Sequence, residues 1–89
     1  MEHSEFEWDE KKNKTNLKKH NISFEIAKEV FKDTRKDYGE KRFITIGKVK
    51  NLILTVVYTI RNTAKRLISA RRASKKEREY YFKQNETKK

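Results

Sequence analysis

The feature that most constrains the fold of this chain is an uncharged stretch that runs from Asn51 to Ile60. It stands out because 42% of all residues are charged. Apolar side chains occupy both alternating sets of positions, which is typical of a central strand that is covered on both faces. The stretch has about half of the 20 residues that a helix needs to cross a bilayer, so it predicts a buried strand and not a membrane span.

Two more strand-forming segments follow the same pattern and predict an antiparallel meander. Residues 42–47 read RFITIG and residues 64–71 read AKRLISAR, and both are rich in β-branched and apolar residues. The segments KVKN and IRNTA between the three strands provide the turns. Strict alternation along the last strand would place Arg71 on one face with Leu67 and Ser69, and Arg72 on the other face with Ile68 and Ala70.

Polar residues at capping positions mark three helices. Asp9 is a suitable N-cap for the segment DEKKNKTNLKKHN, and Ser23 is one for FEIAKEVF. Ser74 and Glu77 form a capping box that opens a last helix, which we expect to run through about Gln84. These signals place one helix at each end of the chain's ordered part and one between them.

The first of these helices has an unusual face. Asn13, Asn16, Leu17 and His20 follow the spacing i, i+3, i+4 and i+7, so the side expected to be buried is mostly polar. Two alternatives follow: the helix packs loosely, or these polar groups meet partners.

The element order is β-α-α-β-β-β-α, beginning with a short strand over residues 6–9 and with a polar loop over residues 32–40. We expect one α+β domain over residues 1–89, with an ordered core at 6–84. An antiparallel sheet with helices packed mostly on one side would bury the apolar faces of these elements.

The charge balance points to a polyanionic partner. The chain has 24 Lys and Arg against 13 Asp and Glu, a net charge of +11. A field of this sign attracts nucleic acid, whereas the predicted helices lack the broad apolar face that a membrane-binding helix requires.

No cysteine is present, which excludes disulfides and thiolate metal sites, and no signal peptide is evident. We therefore expect a cytoplasmic protein that does not bind a membrane.

Arg71 and Arg72 are the most conspicuous pair of cations, since they directly follow a buried strand. At the rim of the sheet, a rigid backbone would hold a guanidinium in the geometry that phosphate binding requires. The alternative is that these arginines are solvated or form ion pairs with Glu77 and Glu79. The pattern alone does not decide between the two interpretations.

Other candidates each have a structural and a functional interpretation. His20 is either a general acid or base, or a histidine that the helix macrodipole favours at a C-terminus. Tyr58 either packs in the core or stacks on a base. Glu40 and Arg42 flank the start of a strand, where Arg42 would point to a sheet face, and Arg61 lies in a hairpin turn. The histidines and carboxylates are not spaced as metal ligands, so we expect no metal and no cofactor.

Four segments in order resemble the BrnT toxins of type II toxin-antitoxin systems. They are FEWDEKKNKTNLKKHNISFEIAKEVF, DYGEKRFITIG, LILTVVYT and RLISARRASKKEREYY, which together span residues 6–81. The patterns W-D-x-x-K-x-x-x-N-x-x-K-H and I-S-A-R-x-A carry most of the resemblance. The chain differs from it after the second helix, where Thr34 replaces the usual proline, and in the turn T-I-R-N, where Ile60 replaces a carboxylate.

The resemblance implies a RelE-like fold and an endoribonuclease that arrests translation. It also implies a BrnA-like ribbon-helix-helix antitoxin that neutralises the toxin, with operator DNA bound only through the complex. The signature positions of the family would fall here on seven polar residues: Lys19, His20, Glu40, Arg42, Tyr58, Arg71 and Arg72.

Cleavage of RNA without metal uses the substrate's own 2′-hydroxyl as the nucleophile, so the protein must supply an acid, a base and positive charge. We expect Arg71, Arg42 and Arg61 to bind the phosphate, and His20 or Glu40 to transfer protons. Lys19, Tyr58 and Arg72 would contact RNA. The alternative from another class is a non-catalytic basic regulator that binds nucleic acid, and a third is a docking surface for an acidic partner.

Overall fold

A computed structural model describes residues 6–32 and 42–86 of the chain. The elements follow the predicted order, and their bounds are β1 Phe6–Trp8, α1 Glu10–His20, α2 Phe24–Ala27, β2 Phe43–Val49, β3 Leu52–Arg61, β4 Ala64–Arg72 and α3 Lys75–Glu86. The helix predicted for FEIAKEVF is only partly an α-helix. Its second half, Lys28–Lys32, is wound as a 3₁₀ helix, a tightening that is common where helices end.

The four strands form one sheet in the order β1-β4-β3-β2. β3 pairs antiparallel with both of its neighbours, which confirms that the uncharged stretch is a central strand. β1 pairs parallel with β4, so the sheet is mixed and the prediction of an antiparallel sheet is wrong for this strand. Because both hairpin loops have two residues, Lys50 and Asn62 adopt positive φ angles of 59° and 61°, where the strand twist requires a left-handed residue.

One face of the sheet, called the core face here, packs under α2 and the 3₁₀ helix. Leu54, Val56 and Tyr58 of β3 have no exposed surface, and they join Phe24 and Val30 in one apolar cluster. A Cβ on Gly47 would lie 2.9 Å from the carbonyl oxygen of Val30. Glycine therefore allows the 3₁₀ helix to lie directly on β2.

The polar face of α1 meets partners. The side-chain amide of Asn16 is buried, donates to the carbonyl oxygens of Ile22 and Ala70, and accepts from the backbone N–H of Ala70. Asn13 accepts from the backbone N–H of Phe24. Since β1 ends at Trp8, Asn16 takes the place of a further strand residue beside β4. The alternative that α1 packs loosely is therefore wrong.

A β-bulge in β4 changes which residues share a face. Val57 pairs with Ser69 while its neighbour Tyr58 pairs with Leu67, so Ile68 is an extra residue. Leu67 and Arg72 consequently lie on the core face, and Ser69 and Arg71 lie on the opposite face. The prediction that Arg71 shares a face with Leu67 is wrong for this reason, whereas the prediction that Arg71 and Arg72 face opposite ways is confirmed.

α3 lies on the face opposite the core face, where its first turn contacts β3 and β4. The capping box is formed as predicted, because Ser74 Oγ accepts from the N–H of Glu77 at 3.2 Å and the Glu77 carboxylate accepts from the N–H of Ser74 at 2.8 Å. Thr55 donates its hydroxyl proton to the same carboxylate. This cap attaches the start of α3 to the end of the sheet.

Candidate functional site

Three arginines lie on the sheet face opposite the core face, which we call the arginine face. Arg66 pairs with Thr59 and Arg71 with Thr55, and Arg61 extends the same alternating set at the end of β3. Thr59 and Thr55 are four residues apart, so the two guanidinium-bearing positions are separated by about 13 Å along the strands. The pair between them, Val57 and Ser69, is half-buried.

Arg71 forms a bidentate ion pair with Glu77. Its Nη1 and Nη2 donate to the two carboxylate oxygens at 2.8 and 2.9 Å. The hydrogen bond from Arg71, together with donors from Ser74 and Thr55, lowers the pKa of Glu77 to about 2 against an ordinary value of 4.5. The same bond raises the pKa of Arg71. The ion-pair interpretation is therefore confirmed, and the guanidinium is held in one orientation on the arginine face.

Arg66 is a candidate that the sequence analysis missed. Its Nη1 donates to Glu7 of β1 at 3.1 Å, and Arg61 lies 3.9 Å from the same carboxylate oxygen. Alternation along β4 could have identified Arg66 as pointing away from Leu67. Alternation could not predict that Glu7 is the partner of Arg66, because the parallel pairing of β1 with β4 joins distant parts of the chain.

Arg42 lies immediately before β2 and is exposed. The first pair of that strand, Phe43 with Tyr58, places Arg42 at the same end of the sheet as Arg61. The sequence predicts that Arg42 points to a sheet face, and because the residue is exposed its charge stays in contact with solvent. Glu40 lies outside the described residues.

Tyr58 is part of the core. Its ring packs at 4.8 Å against Phe31 in an edge-on arrangement and at 5.4 Å against Phe43 in a stacked one, and the residue has no exposed surface. Since a base can stack only on an accessible ring, this placement corrects the prediction that Tyr58 contacts RNA.

His20, Lys19 and Arg72 do not lie on the arginine face. α1 borders the edge of β4 where Asn16 binds Ala70, and His20 lies one turn beyond Asn16 on the same side of the helix. Lys19 is exposed beside it, and Arg72 projects from the core face at the end of β4. The structure thus brings Arg61 and Arg71 to one face with Arg66 and places the histidine at the neighbouring edge.

A cavity of about 340 Å³ lies beside β1, between that strand and α2. It is lined by Phe6, Glu7, Trp8, Glu25 and Lys28. Its two carboxylates make it unsuited to a phosphate, so the arginine face is the better candidate for an anionic ligand.

None of the described helices combines the length and hydrophobicity that crossing a bilayer requires. No three His, Asp or Glu side chains converge as possible metal ligands within the described residues.

The fold and the site together define a small, basic α+β domain with an arginine-lined sheet face, a class suited to polyanions such as nucleic acid. Residues 8–77 match the family described as the ribonuclease toxin, BrnT, of type II toxin-antitoxin systems. This match spans most of the chain, and the chain belongs to that family. Membership confirms the resemblance inferred from the sequence and supports a ribonuclease activity.

A solved structure supports the same assignment. The chain is similar to the 1.1 Å crystal structure of the Brucella abortus ribonuclease toxin BrnT, with 29% sequence identity and a TM-score of 0.71. The similarity covers 82% of this chain and 100% of that one. A search of curated protein sequences finds no match. The α+β fold class predicted from the sequence is confirmed, and the further likeness to RelE stays a prediction.

Proposed function

We propose that this protein is a toxin that cleaves RNA internally in the cytoplasm, by attack of the substrate's 2′-hydroxyl on the adjacent phosphate, and so arrests translation. The upstream product would end in a 2′,3′-cyclic phosphate, and the downstream product would leave with a protonated 5′-hydroxyl. The reaction needs positive charge around the phosphorane, a base and an acid, and it needs no nucleophile from the protein. A BrnA-like ribbon-helix-helix antitoxin would neutralise the toxin, and operator DNA would be bound only through their complex.

The observation that carries this proposal is the arginine face of a protein that belongs to a ribonuclease toxin family. Arg61, Arg66 and Arg71 share one side of the β3–β4 hairpin. A strand of RNA that crosses this side would meet successive guanidinium groups, each able to donate two hydrogen bonds to a phosphate. Arg42 would extend the set at the end of β2.

Arg71 is the best candidate for the scissile phosphate because its orientation is fixed before substrate binds. A donor that is already oriented stabilises the transition state without a further cost of ordering. His20 is proposed as the general acid or base that approaches from the edge of β4, with Lys19 beside it. Glu40 stays an alternative base. Arg72 is proposed to contact the part of the RNA that extends beyond the arginine face.

Cleavage in a chelator tests the proposal. Purified protein should cut a fluorescently labelled single-stranded RNA in excess EDTA, and the 5′ fragment should end in a 2′,3′-cyclic phosphate by mass spectrometry. Activity that appears only with added divalent metal would reject the mechanism. Salt-sensitive RNA binding with no cleavage would instead favour the non-catalytic regulator.

A further inference from the structure

The contacts of Arg71 leave one edge of its guanidinium available. An arginine has five N–H donors, and here one from Nη1 and one from Nη2 bind Glu77. Nη1 also makes a long contact of 3.4 Å with the carbonyl oxygen of Arg72. Within the described residues nothing accepts from Nε or from the outer N–H of Nη2. These two donors are parallel, the arrangement that binds two oxygens of one phosphate.

Glu77 is itself held from three directions. It receives the Thr55 hydroxyl from β3 at 2.9 Å, the Ser74 backbone N–H from the helix cap at 2.8 Å, and the Arg71 guanidinium from β4. Its carboxylate therefore has little freedom to rotate, and neither does the guanidinium bound to it. This degree of fixation exceeds what a helix cap requires, since the cap uses only the bond to Ser74.

We propose that Glu77 is a positioning residue, which holds Arg71 so that its Nε and outer Nη2 donors face a phosphodiester of bound RNA. This inference rests on the ribonuclease function proposed above and names a residue that acts on it indirectly. Glu77 binds one side of the guanidinium and leaves the other side for the phosphate. Arg71 would then donate to the phosphorane as its negative charge develops.

The test compares Glu77→Gln with Ser74→Ala. Glutamine keeps an oxygen that can accept from the N–H of Ser74, but it loses the charged, bidentate pair with Arg71. Ser74→Ala removes the other half of the capping box and leaves the Arg71–Glu77 pair in place. We expect kcat for RNA cleavage to fall roughly 10- to 100-fold in Glu77→Gln, with a smaller change in KM, because the guanidinium is misplaced. Ser74→Ala should keep the wild-type kcat although its melting temperature falls.

A double-mutant cycle separates positioning from a general structural role. In the Arg71→Ala background, Glu77→Gln should have no further effect on kcat, because the group that it positions is gone. If Glu77→Gln still lowers kcat in that background, or if Ser74→Ala lowers kcat as much, the proposal is overturned.

A measurement that needs no cleavage distinguishes failure of this proposal from failure of the proposed function. The Arg71 Nε–H resonance of ¹⁵N-labelled protein is followed while a 2′-deoxy oligonucleotide, which cannot be cleaved by this chemistry, is added. We expect a shift in the wild type that is lost in Glu77→Gln. If the wild type does not cleave RNA, the proposed ribonuclease function is rejected. The shift of the Arg71 Nε–H resonance still shows whether Glu77 positions the guanidinium. Absence of a shift in the wild type would refute the positioning role.

Discussion

At the scale of single residues, Arg71 and Arg72 have different environments although they are neighbours in the sequence. Arg71 pairs with Glu77 on the arginine face, and Arg72 is exposed on the core face. A strand separates neighbouring side chains in this way because its side chains alternate. Of the two, only Arg71 is therefore held by a carboxylate on the arginine face.

Replacing each arginine by alanine tests this difference. We expect Arg71→Ala to lower kcat by at least about 100-fold, the cost of removing one preorganised donor to the transition state. Arg72→Ala removes the same charge from the opposite face, so it should change RNA affinity slightly and kcat little. Steady-state cleavage assays measure both. Equal losses of kcat would contradict the distinction between the two faces.

The lowered pKa of Glu77 predicts a pH dependence of stability. Because its pKa is about 2 in the folded protein, below the ordinary value of 4.5, the pair stabilises the fold fully above about pH 4.5. This contribution is lost as the pH falls from there towards 2, since the unfolded state binds the proton first. The difference in unfolding free energy between wild type and Glu77→Gln should be constant near neutrality and shrink below pH 4.5. Urea titrations at a series of pH values would show it, and a difference that grows on acidification would contradict it.

At the scale of elements, local signals predicted well and non-local ones did not. Asp9, Ser23 and the Ser74–Glu77 box cap helices as expected, because a cap depends only on residues within one turn. The bulge at Ile68 and the parallel pairing of β1 depend on contacts between distant segments. The bulge decides which arginines share a face, and the pairing of β1 brings Glu7 to Arg66, so the composition of the site could be predicted only in part.

Asn16 shows how one polar side chain joins two elements. Its three buried hydrogen bonds connect α1 to β4 and to the segment before α2. We expect Asn16→Ala to lower the unfolding free energy by roughly 2–4 kcal/mol, because it leaves buried backbone groups without partners. Asn16→Asp should cost more, since a carboxylate cannot donate to the two carbonyl oxygens.

Asn13→Ala is the matched control on the same helix, because it removes the bond that Asn13 accepts from the N–H of Phe24 and only an exposed bond that it donates to Glu10. Its cost should be about 1 kcal/mol. Urea denaturation measures all three variants, and a similar small loss for Asn13→Ala and Asn16→Ala would show that α1 does not depend on this amide.

At the scale of the whole molecule, the sheet separates the apolar core from the cations that we propose bind RNA. The core face carries the aromatic cluster that includes Tyr58, while the arginine face carries cations that are only partly neutralised by Glu7 and Glu77. The sequence indicated a basic protein with an apolar sheet, and the register between strands determined how the two properties are divided. Binding to RNA should therefore be sensitive to salt through this face in particular.

Arg66→Gln tests that sensitivity. For single strands, each neutralised phosphate contributes about −0.7 to the slope of log K against log salt. We expect the variant to bind a 2′-deoxy oligonucleotide with a slope that is less steep by about 0.7. Lys11→Gln, at the start of α1, should leave the slope unchanged. Fluorescence anisotropy at several salt concentrations measures both slopes, and equal changes would indicate binding without a preferred face.

The most direct measurement is the rate of RNA cleavage in EDTA for two charge-matched triple variants. One replaces Arg61, Arg66 and Arg71 by glutamine on the arginine face, and the other replaces Lys11, Lys12 and Lys14 on α1. Both lower the net charge by the same amount, so diffusional attraction to RNA falls similarly. Our account predicts that the first variant loses cleavage by more than about 100-fold while the second stays close to wild type. Equal rates in the two variants, with both proteins folded, would contradict it.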